Sequence, residues 1–187
     1  MPLPHSINEE GRGTSLSLSA GDLTFGPLCG ADVDAATRCG LDAWCSVIGG
    51  NSFDFSANDI TQMEAQLHAF MMYYAAGQAD PHDLLTLAKA DGAVVGFCAL
   101  DCSTSYLSDL CVDPLWQRQG VGAALMEDAR GKLRQVGQNH LTLEVFAQNT
   151  RACSFYRKQG LEVMERKVKY DPLLKRNLLK MVMRQVL

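Results

Sequence analysis

Gln117-Arg118-Gln119-Gly120-Val121-Gly122-Ala123 is the stretch that decides how this chain folds. It follows an apolar, strand-like run from Tyr106 to Val112 and opens an amphipathic helical pattern. A strand that delivers a glycine loop into a helix N-terminus is an anion-binding device. The first-turn N–H groups have no intrahelical partner, and the helix dipole favours negative charge there. Gly120 and Gly122 carry no Cβ, so a phosphate can approach the backbone closely. What the loop lacks narrows the ligand. A nucleoside triphosphate loop needs Lys and then Ser or Thr after its last glycine, whereas Ala123 and Ala124 follow Gly122. A dinucleotide fingerprint needs a small residue three positions after the second glycine. That position is Leu125, and Asp113-Pro114-Leu115-Trp116 is inserted where a tight turn is wanted. Two readings remain for the fragment alone: a tightly packed helix start, or a site for another phosphate-bearing ligand.

The wider order of residues selects between them. Val112-Asp113-Pro114, the Gln117–Ala123 loop, Glu144, Asn149 and Tyr156 follow one another in a way that resembles the GCN5-related N-acetyltransferase (GNAT) superfamily. In motif spacing the chain is nearest to the ribosomal-protein alanine N-acetyltransferase branch. The strong motifs cover about residues 106–161, and a weaker match in strand order covers about residues 22–187. In that family the Gln/Arg-x-x-Gly-x-Gly/Ala loop holds the pyrophosphate of acetyl-coenzyme A. The resemblance thus implies acetyl-CoA as co-substrate. It would be held by Leu110, Cys111, Val112, Gln117, Arg118, Gln119, Gly120, Val121, Gly122, Ala123 and Asn149.

Composition agrees with one globular domain. A chain of 187 residues with 47% apolar content can build one sizeable core. No apolar run reaches the ~18 residues of a membrane span, and no cationic start precedes an apolar stretch as in a secretory signal. The net charge of -4 argues against nucleic acid, because no basic excess is present to release counterions. The seven cysteines form no Cys-x-x-Cys. Cys98 and Cys102 are about 13 Å apart if they share one strand, too far for a disulfide. Buried, reduced thiols in a cytoplasmic protein are the expected state. His5, His68, His82 and His140 do not cluster with cysteines or acids at ligand spacing, so no metal is expected.

Along the chain, residues 1–20 read as a mobile tail and 21–187 as a single domain. Leu23–Leu28 is a short strand candidate. Asp32–Ile48 reads as a helix with Asp32 as N-cap and Gly49-Gly50 as its stop. Asn51–Asn58 is a loop bearing Phe53 and Phe55. Asp59–Ala76 is a second helix, because Ile60, Met63, Leu67, Phe70 and Met71 recur at helical spacing. Asp91-Gly92 marks a hairpin between Leu84–Ala90 and Ala93–Leu100. In the next strand, Thr104–Val112, Leu107 is out of parity with Leu110 and Val112. If all three face the core, a β-bulge must absorb one residue. A helix then runs to Val136, a strand covers His140–Phe146, and a helix follows from Asn149 to Gln159. Two last strands, about 161–170 and 178–187, flank a basic loop at Lys175-Arg176. The order β-α-α-β-β-β-α-β-α-β-β is that of a mixed α/β sheet. By resemblance it is mostly antiparallel, with about seven strands and four helices, and splayed between the fourth and fifth strands.

Acetyl transfer to an amine requires a held cofactor, a polarised carbonyl, a deprotonated ammonium and a protonated leaving thiolate. By resemblance, the pantetheine arm lies in the splay and pairs with backbone. A bulge that frees an N–H near Leu110 to Val112 suits that role and could stabilise an oxyanion. Tyr156 is the candidate general acid, one helix turn past Ala152; an interfacial core tyrosine is the alternative. Glu144 is the candidate base, since alternation sends it away from Leu141, Leu143 and Val145, and burial is expected to raise its pKa. A solvent-facing or paired strand glutamate is the alternative, and Asp109 is the rival base. Ser154 has no His–Asp pattern near it, so a hydrolase triad is not expected.

The implied function is an acetyl-CoA-dependent N-acetyltransferase acting on a primary amine by direct attack in a ternary complex. The acceptor is either a small amine or a protein or peptide amine. The rival is a catalytically silent acyl-CoA-binding sensor module, which intact Tyr156 and Glu144 disfavour. Neither nucleic acid nor membrane is an expected partner; a homodimer is admitted as an assembly.

Overall fold

A computed structural model describes residues 23–48, 56–172 and 175–187. The expected N-terminal tail, the Gly49-Gly50 stop, and Phe53 and Phe55 lie outside the described residues.

Strand β1 (Leu23–Pro27) leads through a 3-10 turn at Gly30–Asp32 into helix α1 (Val33–Ile48), and α2 (Ala57–Ala75) follows. Strands β2 (Asp83–Ala90), β3 (Ala93–Asp101) and β4 (Tyr106–Val112) form a meander. Helix α3 (Val121–Gln135), strand β5 (His140–Phe146), helix α4 (Thr150–Lys158), β6 (Glu162–Asp171) and β7 (Arg176–Val186) complete the chain. The strands make one seven-stranded sheet in the order β1-β2-β3-β4-β5-β7-β6. Each neighbouring pair is antiparallel except β4 with β5, which is parallel. This is the mixed, mostly antiparallel sheet expected from the sequence.

Two apolar layers hold the sheet. On one face α1 packs over β3 and β4. There Phe97, Leu87 and Met71 are fully buried with Ala36 and Cys39. On the other face α3 and α4 cover the sheet, and Leu125, Met126, Leu133, Leu141, Leu143 and Met183 close the larger core. Removing that apolar surface from water is the main stabilising term, at about 25 cal/mol per Å².

Local chemistry sets the elements. Ser56 and Asp59 form a reciprocal capping box at the start of α2: the Ser56 hydroxyl accepts from the Asp59 N–H (3.2 Å), and the Asp59 carboxylate accepts from the Ser56 N–H (2.8 Å). This box starts α2 at Ala57, earlier than apolar periodicity indicates, so Ala57 and Asn58 belong to the helix. Asp91 and Gly92 both have positive φ (48° and 82°), as a two-residue hairpin turn requires. Asp32 stands just before α1, but its carboxylate turns back to the Cys29 N–H (3.4 Å) and to Lys89 (2.7 Å). Strand β4 begins at Tyr106, not Thr104, because the Asp101 carboxylate accepts from the Ser103 and Thr104 N–H groups and folds them into a turn. Strand β7 begins at Arg176, so only Lys175 of the basic pair stays outside a strand. All seven cysteines are free, and Cys39, Cys98, Cys102 and Cys153 are buried. Cys29 is exposed instead, its thiol donating to Asp32 (2.9 Å).

Candidate active site

The site begins where β4 and β5 part. They pair only at Tyr106 with Thr142 and Leu107 with Leu143. One residue further along β4, the register with β3 shifts: Leu100 faces Leu107, but Ala99 faces Asp109. Ser108 is therefore the extra residue of a bulge. The bulge restores Leu107, Leu110 and Val112 to one core face, as the broken parity required. It also turns β4 away from β5. The Val112 carbonyl accepts from the Gln117 side-chain amide (2.9 Å), so this edge of the residue faces the gap. Backbone alternation gives Leu110 the same outward edge, and its N–H faces the opening.

The gap is a cavity of about 610 Å³, within the usual ~300–1,000 Å³ of ligand sites. Leu110, Cys111 and Val112 form one wall, Phe146 and Tyr156 another, and Gln117, Arg118, Gly120, Gly122 and Ala123 one end. Asn149 also lines it, with its side-chain oxygen accepting from the Ala152 N–H (3.0 Å) to cap α4. Two members of the expected loop set do not line it. The Gln119 side chain donates to the Leu115 carbonyl (2.6 Å), and Val121 is buried in the core. Sequence reasoning also missed several lining residues. Ala43, Trp44 and Val47 come from α1, which no local pattern ties to this gap. Arg151 and Lys158, from α4, add cations to the lining already charged by Arg118. A basic residue two positions after Asn149 was the available signal.

The two loop glycines serve different ends. Gly120 is the N-cap of α3 at φ 91°, and a Cβ there would meet nothing within 4 Å. Its need is conformational. A Cβ on Gly122 would lie 3.3 Å from the Phe155 ring and would push α4 back by a few tenths of an ångström, so Gly122 favours close packing of α3 on α4. The first intrahelical bond of α3 is Ala124 N–H to the Gly120 carbonyl (3.0 Å). The N–H groups of Val121, Gly122 and Ala123 precede it and lack intrahelical acceptors.

Ionisable groups around the gap are tuned apart. Burial pushes the Tyr156 phenol well above its ordinary pKa, and the charge of Asp109 pushes in the same direction. Tyr156 is firmly protonated at neutral pH. Burial, then the charge of Asp109, likewise raises the Cys111 thiol well above its usual value, so no thiolate is available there. Asp109 shares a β4 face with Cys111, towards α1 and α2, and burial raises its carboxyl pKa against an opposing hydrogen bond from Ser108. Tyr74 of α2 feels both Asp83 and Asp109, and burial first, then these charges, moves its phenol up to about 12.

Glu144 departs from the expectation of a raised pKa. It is the first residue of β5 beyond the pairing with β4. Burial does push its carboxyl up, but Lys167 (2.6 Å) and Lys169 (3.5 Å) outweigh that and hold it below the usual range. Neither Glu144 nor Asp109 lines the cavity itself. Among the described residues, no group of three or more His, Cys, Asp or Glu side chains could hold a metal ion. Nor is any described helix long and apolar enough to cross a membrane.

Comparison with known proteins bears on this geometry. The sequence model for the acetyltransferase (GNAT) domain matches residues 53–177. The [ribosomal protein bS18]-alanine N-acetyltransferase of Escherichia coli (strain K12) is 32% identical over 117 residues, which is 59% of this chain and 77% of that one. The peptidyl-lysine N-acetyltransferase YiaC of the same organism is 32% identical over 77 residues, 41% of this chain; the match spans only 49% of YiaC. In three dimensions, PaiA N-acetyltransferase from Thermoplasma acidophilum, solved in complex with coenzyme A, superposes with a TM-score of 0.69 at 19% identity. That alignment covers 88% of this chain and 99% of PaiA, and at such identity it shows a shared fold.

Proposed function

This chain belongs to the GNAT acetyltransferase family, and on that premise we propose that it moves the acetyl group of acetyl-CoA to a primary amine by direct attack in a ternary complex. The observation that carries the proposal is the parting of β4 and β5 after Leu107 and Leu143, which opens a cavity of about 610 Å³ running to the α3 N-terminus.

The residues present suit acetyl-CoA. The free N–H groups of Val121, Gly122 and Ala123 and the cations Arg118, Arg151 and Lys158 match its phosphates. The outward backbone edge of Leu110 and Val112 matches an extended amide-bearing arm. When bound, acetyl-CoA supplies an activated thioester carbonyl. The Leu110 N–H would then donate to the carbonyl oxygen as negative charge develops on it. Asp109, its pKa raised by burial, is the better-tuned base for the acceptor ammonium, and since it does not line the cavity it would act through water. Tyr156 holds its proton until a thiolate departs, and donates it there. Direct attack fits Cys111, whose protonated thiol is no nucleophile. Glu144, tied to Lys167 and Lys169, is less suited to accept a proton. Seven free thiols accord with a reducing, cytoplasmic location.

A panel of amines, polyamines and peptides, scored by acetyl-CoA consumption, tests the proposal. Thiol release that depends on an acceptor is the expected result. Acetyl-CoA binding without turnover on any acceptor would favour the silent acyl-CoA-binding module.

A further inference from the structure

Among the described residues, the sheet face that carries Glu144 is only partly roofed. Helix α1 lies over β3 and β4. Beyond it, the cross-strand rows of β5, β7 and β6 present side chains outward, since directly paired residues share a face. One row is Phe146, Lys180 and Lys167; the next is Glu144, Val182 and Glu165; the next is Thr142, Arg184 and Glu162. The row of Phe146 touches the cleft, because the Phe146 ring lines the cavity and the Lys180 ammonium stands 4.7 Å above its centre. Lys167 reaches Glu144 at 2.6 Å and Lys169 at 3.5 Å. At the cleft mouth, three ammonium groups therefore surround one carboxylate. Glu165, in the same row as Glu144, also acts on Lys167, and these two carboxylates do not neutralise all three ammonium groups. Lys169, with its side chain 56% exposed and a long contact to Glu144, has donors to spare.

We propose that the amine acceptor is an acidic polypeptide segment, received by Lys167, Lys169 and Lys180 as its amine enters the cleft, with Glu144 as the residue that positions the lysines. This rests on the transferase reading above and names the acceptor class for the same site. The charge asymmetry selects for carboxylates flanking the amine and against Lys or Arg there. The shape selects for a chain segment. Small-molecule sites are concave and enclose their ligand, whereas among the described residues Glu162, Glu165, Lys169 and Arg184 leave the β5, β7 and β6 part of this face exposed to solvent. Lys169→Glu and Lys180→Gln leave Asp109, Tyr156 and the phosphate end of the cleft in place.

The test uses peptides that share one amine and differ only in flanking residues: acidic, neutral or basic. They are assayed with wild type, Lys169→Glu and Lys180→Gln, with an acetyl-CoA thermal shift as control for folding and cofactor binding. Exposed ion pairs are individually weak, so three together should give kcat/KM about tenfold higher for the acidic than the neutral peptide at low salt. The basic peptide should be slowest. The preference should shrink at high salt and fall in both variants through KM, with kcat kept on the neutral peptide. Equal rates for all flanks, a preference for basic flanks, or an unchanged preference in both variants would overturn the acceptor assignment and leave the transferase reading intact. Faster transfer to polyamines or free amino acids than to any peptide would also overturn it. Bound acetyl-CoA with transfer to no amine of any kind would overturn both.

Discussion

Ala123→Glu separates the stability of the α3 N-terminus from its ligand binding, because the two should respond with opposite sign. With Gly120 as N-cap, Ala123 is the third residue of α3, and its side chain lines the cavity. A carboxylate in the first turn of a helix interacts favourably with the dipole, by about 0.3–1 kcal/mol. The free protein should therefore melt no lower than wild type. The same carboxylate sits where the pyrophosphate of acetyl-CoA is expected. Two like charges ~4 Å apart at an effective dielectric of ~20 repel by about 4 kcal/mol. A flexible glutamate can swing to the cavity mouth and recover roughly half of that. The remainder, about 2–3 kcal/mol, weakens acetyl-CoA about 30- to 150-fold. Ala123→Gln has nearly the same shape without the charge, so the ratio of Glu to Gln affinities isolates the electrostatic part. That ratio should shrink as salt rises. Titration calorimetry and melting curves with and without acetyl-CoA read both quantities. Wild-type affinity in Ala123→Glu would refute the placement of the phosphates at α3.

Tyr156→Phe should keep acetyl-CoA affinity and lower kcat by roughly 10²- to 10⁴-fold, the usual scale of a general acid; unchanged turnover would return Tyr156 to a packing role. If Asp109 is the base, kcat/KM should fall as pH drops through its raised pKa, and Asp109→Asn should remove that limb while Glu144→Gln preserves it. The reverse pattern would restore Glu144 as the base. Stability should respond too. Asp109 binds its proton more tightly folded than unfolded, so its contribution is present below the unfolded pKa and lost as pH rises through the folded one. Asp109→Asn should thus be more stable relative to wild type at neutral than at acidic pH, as parallel melts at two pH values would show. Gly120→Ala adds a Cβ to open space at φ 91°; a left-handed residue costs about 1–2 kcal/mol, so Tm should fall by about 2–8 °C for a domain of this size.

Much of the fold was legible because local chemistry carries it. Asp91-Gly92 fixed a hairpin, Gly137 and Gly160 stop helices at φ 80° and 87°, and the broken parity of Leu107 against Leu110 revealed the bulge that opens the site. The loop glycines were singled out for phosphate approach, whereas the structure shows a left-handed φ at Gly120 and close packing on Phe155 at Gly122. A sequence shows that a Cβ is missing, not whether φ or a neighbouring Phe155 disfavours one. Glu144 shows where such reading ends. Alternation placed it off the core face, yet its pKa is decided by lysines on β6, two strands across the sheet. Their alignment depends on a register shift between Val163 and Glu165 that no local pattern announces. Trp44 on the cavity wall is equally remote in sequence from the β4 residues that line the same cavity.

Direct transfer across the β4–β5 cleft is tested most directly by a single turnover with enzyme in excess over acetyl-CoA, following free CoA, acetylated amine and the intact mass of the protein together. CoA and acetylated amine should appear at one rate, only when an acceptor is present, with the protein unmodified throughout. CoA released ahead of the amine product, with acetyl carried on Cys111 or any other side chain, would contradict it. So would the absence of CoA release with every acceptor.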